Sequence, residues 1–370
     1  MDSRKRGAFD FTLFIIIISL LSIGLIMVFS ASSEAARYLF KGDAYHYIKR
    51  QGLWAILSVV AMLILANFNY KRFQKLAFPG LVVSVLLLVA VLVIGKDING
   101  GKRWIYIGSL SFQPSEFVKI AVVLFFASSL SVYKDRLKYF WTGLLPYLGV
   151  LGIIALLLYF EPHFSCIVII LVVGCVMLFV AGAKLSHFAF LAGPAAVGVF
   201  GLIMMAPYRV ARVMSFLDPF KDKQGDGWQV IQSLYAIGSG GIFGLGLGRS
   251  RQKFLYIPEP QNDFIFSILC EELGFIGALV VILLFVMLIY RGMRVALTAP
   301  DMFGSLIATG ITTLLAVQIV CNIAVVTSSM PVTGMPLPFF SYGGTTLLAN
   351  MCAMGILLNI SRYCKGQRGA

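Results

Sequence analysis

Uncharged runs set the rhythm of this chain. Residues 11–33, 51–70, 76–95, 139–160, 164–183 and 188–208 contain no Asp, Glu, Lys or Arg. Each run is close to the roughly 20 residues a helix needs to cross a bilayer. Residues 273–290 form another, and 264–270 extend that helix toward the far surface. Residues 302–361 carry no charge either, which is too long for one span; Pro331, Gly334, Pro336 and Pro338 divide the stretch into two helices with a stiff connector. Residues 114–132 complete the set, although they include Glu116 and Lys119. The pattern predicts an all-α, polytopic membrane protein of about ten transmembrane helices, forming a single domain over residues 1–370. Its one large segment outside the bilayer is 207–263. The first run is longer than a signal-peptide core and lacks a clear cleavage site, so it reads as the first span.

Composition agrees. Of 370 residues, 59% are hydrophobic and 12% charged, against about 25% charged in soluble proteins. The net charge of +14 would suit nucleic acid only if it clustered on a soluble face. Here the charges sit at the ends of apolar runs, so no nucleic-acid partner is expected. Cys166, Cys175, Cys270, Cys321 and Cys352 fall inside apolar runs and Cys364 in the tail, so they read as small apolar residues rather than a disulfide framework. His46, His163 and His187 are scattered, and no metal-ligand cluster or Ser-His-Asp spacing stands out.

Lys and Arg placement gives the orientation. With the N-terminus inside, the inner segments hold Arg4, Lys5, Arg6, Lys71, Arg72, Lys75, Lys134, Arg136, Lys138, Lys184, Arg291, Arg294, Arg362, Lys365 and Arg368. That is half of the 30 basic residues, so the raw count does not decide. Segment 207–263 contributes Arg209, Arg212, Lys221, Lys223, Arg249, Arg251 and Lys253 to the outside, and long loops weigh less in the rule. Setting it aside leaves an inner excess, and both termini are expected in the cytoplasm. Those outer cations read either as a solvated loop or as attraction for an anionic lipid headgroup.

Three constellations carry candidate chemistry. Arg103-Trp104 precedes Gln113-Pro114-Ser115-Glu116, with Lys119 three residues on, on the same helix face. Ionised groups within a span are usually functional, but Pro114 at the helix start also suits a shallow, self-paired couple. The second constellation runs from Asp218-Pro219 through Gly227-Trp228-Gln229 and a Gly-rich stretch to Asn262-Asp263. No strand precedes Gly244–Gly248 and no Gly-Lys-Ser/Thr follows, which excludes a nucleotide loop. Asp263 immediately precedes an apolar run, where spacing alone makes it a helix N-cap. The third, Pro336–Thr345, places Ser341, Tyr342 and a Gly pair among apolar residues; it reads as a broken helix lining a polar cavity or as tight packing.

These segments resemble the SEDS family (shape, elongation, division and sporulation), which includes RodA, FtsW and SpoVE. The matching residues are Lys102–Ile105, Gln113–Lys119, Asp218-Pro219, Gly227–Gln229, Gln232-Ser233, Gly244–Lys253, Pro258-Glu259, Asn262–Phe266, Glu271–Gly274 and Pro336–Gly344. Ser329–Gly334 and Asn359–Tyr363 are more similar to the FtsW and SpoVE branch. Glu161-Pro162-His163-Phe164-Ser165 departs from the family's Asp-x-Gly after the Pro. The resemblance implies a peptidoglycan glycosyltransferase in the bacterial cytoplasmic membrane. It would polymerise lipid II at the outer face during division or sporulation, with inversion and loss of undecaprenyl pyrophosphate. It assigns the general base to Asp263 and substrate binding to Arg103, Trp104, Glu116, Lys119, Arg209, Arg212, Lys253, Asn262 and Ser341. It implies a class B penicillin-binding protein as partner, together with membrane lipid. No cofactor is implied outright, and a divalent cation, Mg or Mn, is left open. The rival functions are a lipid II flippase, which needs charge at several depths, and a non-catalytic scaffold.

Overall fold

The computed structural model describes residues 7–98, 101–108, 110–205, 207–221, 227–254 and 256–364. Arg4, Lys5, Arg6, Lys223, Lys365 and Arg368 lie outside the described residues.

The long uncharged runs are helices, as their apolar length requires. They are α1 (Phe11–Leu39), α2 (His46–Asn67), α3 (Arg72–Ile94), α4 (Pro114–Tyr133), α5 (Leu145–Phe160, with a π-turn over Phe140–Leu144 leading in), α6 (Phe164–Val180) and α7 (Leu185–Met204). After residues 207–263 come α10 (Ile265–Thr298), α11 (Met302–Val326) and α12 (Gly344–Ser361). Among the described residues eight helices are long and apolar enough to span a membrane, while α6 and α7 contribute shorter apolar runs.

Burial grades across the bundle. α12 packs along α2, α10 against α11, and α3 against α4. α4, α11 and α12 lie mostly inside, whereas α2 and α3 present Ile56, Ile64, Leu86 and Val93 outward, as lipid-facing helices do. Gly355 makes the α12–α2 approach possible, because a Cβ there would strike the Met62 backbone.

The first and last described residues meet at one end of the bundle. Asp10 caps α1 by accepting from the Leu13 N–H at 3.0 Å and pairs with Arg291 of α10 at 2.5 Å. Its own N–H donates to Ser361 Oγ at 2.9 Å, and Gly7 N–H donates to the Arg362 carbonyl. Asp301 caps α11 at the same end and accepts from Tyr70 Oη at 2.6 Å.

Two features depart from an all-α bundle with a simple loop. Lys96–Ile98 (β1), Gly101–Ile107 (β2) and Leu110–Phe112 (β3) form a small antiparallel sheet between α3 and α4. The described part of segment 207–263 is itself folded, with α8 (Pro207–Leu217) and α9 (Trp228–Gly240). α9 packs against the start of α10 and ties to α11 by a bond from Ser233 Oγ to the Val326 carbonyl at 2.7 Å. α10 breaks at Gly274 (φ +68°), where the Gly244 backbone passes too closely for any side chain. Its first part, residues 265–273, is therefore a separate short helix.

The buried carboxylates of that short helix fold the loop before it. Glu271 accepts from Ser250 Oγ and from the Arg251 N–H at 3.0 Å. Glu272 accepts from Ser30 Oγ of α1 at 2.7 Å and from the Ser250 N–H at 3.3 Å, and pairs with Lys253 at 3.7 Å.

Candidate functional site

The end of the bundle opposite the termini gathers most of the candidate side chains. Asp263 lies in the loop leading into α10. The cap position of that helix is Phe264, and Asp263 does not cap it: no α10 N–H donates to its carboxylate. The side chain is half-buried and lies against Gly334, where a Cβ would be 3.7 Å from Asp263 Oδ2. Asn322 of α11 fixes this arrangement. Its amide donates to the Asp263 carbonyl at 2.8 Å and to the Met335 carbonyl at 2.7 Å, holding the loop and the 327–343 connector together. Burial pushes the Asp263 carboxyl up to about 6, with the Arg212 charge pulling the other way and Glu259 adding to the rise. At pH 7 the group is mostly ionised yet basic enough to accept a proton.

Cations approach from α8 and the sheet. Arg212 donates to the Val332 carbonyl at 3.3 Å, and its charge acts on both Asp263 and Arg103. Arg209, buried one turn away, has its guanidinium over the rings of Tyr159, Phe164 and Tyr208 at 5.2 to 5.3 Å. Arg103 on β2 donates from Nε to the Glu161 carbonyl at 3.2 Å and from Nη2 to the Pro162 carbonyl at 2.5 Å. A guanidinium has five N–H groups, so others remain for an anion. Ser165 Oγ donates to the Thr333 carbonyl, closing a ring from the α5–α6 turn to the connector and on to Asp263.

Beneath Arg103 the charges are muted. Glu161 is fully buried, and neither carboxyl oxygen has a hydrogen-bond partner. Burial pushes it up to about 8 despite the nearby guanidinium. His163 is held down to about 3 by burial and by the Arg103 and Lys119 charges, so both are neutral at pH 7. Glu116 and Lys119 pair at 2.9 Å, both buried. They sit in and just past the first turn of α4, which makes them the shallow, self-paired couple that Pro114 allows.

Other sequence candidates lie deeper or apart. Lys253 donates to the Gly248 carbonyl at 2.6 Å and pairs with Glu272, both groups nearly fully buried; its ammonium is spent inside the loop rather than offered to a headgroup. Ser341 Oγ accepts from the Leu337 N–H at 2.7 Å and stays buried, which closes the tight turn through Phe339 (φ +69°). Trp104 stands on β2 opposite Lys96. Asn262 donates to Glu259 at 2.6 Å, steadying the loop beside Asp263. Sequence reasoning missed Glu161, Asn322 and the Glu271/Glu272 pair as site supports. Asn322 showed only as a polar residue in an apolar run, while Glu161 and Glu271-Glu272 fell in segments compared with the family but with nothing in sequence to show what they bond.

Comparison with known proteins follows the same lines. The profile of the FtsW/RodA/SpoVE family of cell cycle proteins matches residues 11–366. The chain is 46% identical to Stage V sporulation protein E of Bacillus subtilis over 98% of its length and 100% of that protein. It is 43% identical to the probable peptidoglycan glycosyltransferase FtsW of Trichlorobacter lovleyi, covering 98% of this chain and 95% of the other. Among solved structures it superposes with a TM-score of 0.81, at 30% identity over 97% of this chain and 99% of the other, on a chain from a study of how a peptidoglycan synthase complex coordinates polymerization and crosslinking. Thermus thermophilus rod shape determining protein RodA superposes at 0.70, with 27% identity over 96% and 97% of the two chains.

Proposed function

Because this chain belongs to the FtsW/RodA/SpoVE family, we propose that it polymerises lipid II at the outer face of the cytoplasmic membrane with Asp263 as general base. It is a multi-pass membrane protein and a peptidoglycan glycosyltransferase of division or sporulation. The site chemistry is our reading, and one observation carries it. A half-buried carboxylate that caps no helix is held at the end of the bundle opposite Gly7 and Arg362, beside arginines.

Asp263 removes the proton from the acceptor's GlcNAc 4-hydroxyl as that oxygen bonds to the anomeric carbon of the donor's MurNAc. The bond from that carbon to the pyrophosphate oxygen breaks with inversion, and undecaprenyl pyrophosphate leaves with the electron pair. Arg103 and Arg212, with Arg209 behind them, hold the departing negative charge. Trp104 and Asn262 border the sugar path, while the Glu116–Lys119 pair, Lys253 and Ser341 support the fold beneath. A divalent cation, Mg or Mn, would enter as a companion of the pyrophosphate. Both termini face the cytoplasm, and a class B penicillin-binding protein cross-links the product.

A flippase would need ionised groups at several depths. The Glu116–Lys119 and Lys253–Glu272 pairs lie instead toward the end that holds Asp263, and the Asp10–Arg291 pair lies at the opposite end, so paired charges sit toward the two ends rather than along a path between them. The test is purified protein with its cognate penicillin-binding protein and labelled lipid II. Long glycan strands are expected. Translocation of lipid II across proteoliposomes without strands would establish the flippase, and neither activity would leave the scaffold.

A further inference from the structure

The end of the bundle where Gly7 meets Arg362 has a cavity with no part in the reaction described above. It lies between the last two turns of α4 and the start of α5, with a volume of about 180 Å³. A single water needs about 10–15 Å³ by this kind of measure. Phe125, Ser129 and Tyr133 line one wall, four residues apart and so on one face of α4. That wall runs about 12 Å along the helix at 1.5 Å per residue. Pro146, Tyr147 and Val150 form the other wall, and Arg136 stands at the mouth. Ser128 Oγ donates to the Gln74 carbonyl at 3.4 Å, linking this turn to the start of α3 and so to the end opposite Asp263.

The walls change character along their length. Phe125 and Val150 are apolar and lie within the apolar helices α4 and α5, while Ser129 and Tyr147, whose hydroxyls lie 2.7 Å apart, are polar. At the mouth the Arg136 guanidinium stacks over the Tyr133 ring at 4.9 Å. Among the described residues no carboxylate pairs with it. Lys134 and Lys138 flank it, against one acid, Asp135. Tyr139 is 68% exposed and Trp141 75%; outward-facing aromatics of this kind mark the water–lipid boundary.

We propose that this cavity binds an anionic phospholipid, its phosphate on Arg136 and its first acyl carbons along Phe125 and Val150. A free phosphate would use the cation but not the apolar wall, and a zwitterionic lipid would use the wall but gain little from the net positive mouth. Cations next to an anionic leaflet contribute about 1 kcal/mol each, which corresponds to roughly fivefold in occupancy. The site is independent of the transfer chemistry at Asp263.

The full chain in phosphatidylcholine nanodiscs, doped with a phosphatidylglycerol that carries a photoreactive group near its head, tests this by mapping the crosslinked peptides. Label is expected on 125–150, competed by unlabelled phosphatidylglycerol but not by inorganic phosphate. Arg136→Gln should reduce it about fivefold while label elsewhere on the protein is unchanged, which also reports an intact fold. Ser129→Phe, which fills the cavity and leaves the cation, should reduce it too. Unchanged label in Arg136→Gln, equal label from a phosphatidylcholine probe, or competition by inorganic phosphate would each overturn the proposal.

Discussion

Replacing Asn322 with Leu, which matches its size but has no donor, isolates the positioning of the base from the base itself. Asn322 is 1% exposed and donates two bonds, to the Asp263 and Met335 carbonyls. Net bonds of this kind contribute about 0.5–1.5 kcal/mol each, so their loss costs about 1–3 kcal/mol. The two carbonyls can then drift apart, taking the Asp263 loop off the connector. A displacement on the order of 1 Å can cost about 10²-fold in rate. The assay is glycan polymerisation by purified Asn322→Leu across pH, with thermal unfolding in the same detergent. The expected result is a lower kcat and lower thermal stability, with an acidic limb still present in the profile because the carboxyl is retained. Normal polymerisation by a folded Asn322→Leu protein would show that the Asp263 loop is held by something other than Asn322.

Glu272→Ala leaves Lys253 buried without its partner, which costs about 3–5 kcal/mol; trypsin should then cut at Arg249, Arg251 or Lys253, and a resistant loop would count against the buried pair as its anchor. Glu161 stays protonated to about pH 8 in the folded protein but ionises near its ordinary 4.5 when unfolded. Folding therefore takes up a proton between those values, and wild-type stability falls as pH rises through that window. Glu161→Gln should remove the slope in denaturation measured across the same range, and an unchanged slope would place the shift elsewhere. For topology, Arg251→Cys and Lys138→Cys, both exposed positions, in a background without native cysteines should differ in intact cells. An impermeant maleimide should label 251 and not 138; the reverse would invert the orientation.

The membrane architecture was legible because a bilayer imposes one simple requirement. Runs such as 76–95 and 164–183 carry no charge, so their helices could be read without knowledge of their neighbours. The short sheet over 96–112 was hidden, since strands of three residues beside glycines leave no alternation long enough to detect. The interior of 207–263 was hidden for another reason. Its order comes from Glu271 and Glu272, which look in sequence like two charges on a helix but reach back to Ser250, Lys253 and Ser30. Asp263 was ambiguous from spacing, because an Asp before an apolar run is an ordinary N-cap. The fold removes that explanation by putting Phe264 at the cap. Arg103 and Arg212 were readable as cations, but not as clamps on the 161–162 and 332 carbonyls, which only the packed bundle brings within reach.

Asp263→Asn separates a catalytic base from a structural carboxylate at this position. The substitution keeps size and polarity, and because the carboxylate caps no helix, the fold should survive. An amide cannot take a proton from a sugar hydroxyl at neutral pH. Polymerisation of labelled lipid II by the purified variant should therefore fall by roughly 10²–10⁴, with monodispersity in detergent and partner binding retained. The wild-type rate should fall as pH drops through about 6. A folded Asp263→Asn protein that builds glycan strands at a near-normal rate would remove Asp263 from the transfer chemistry.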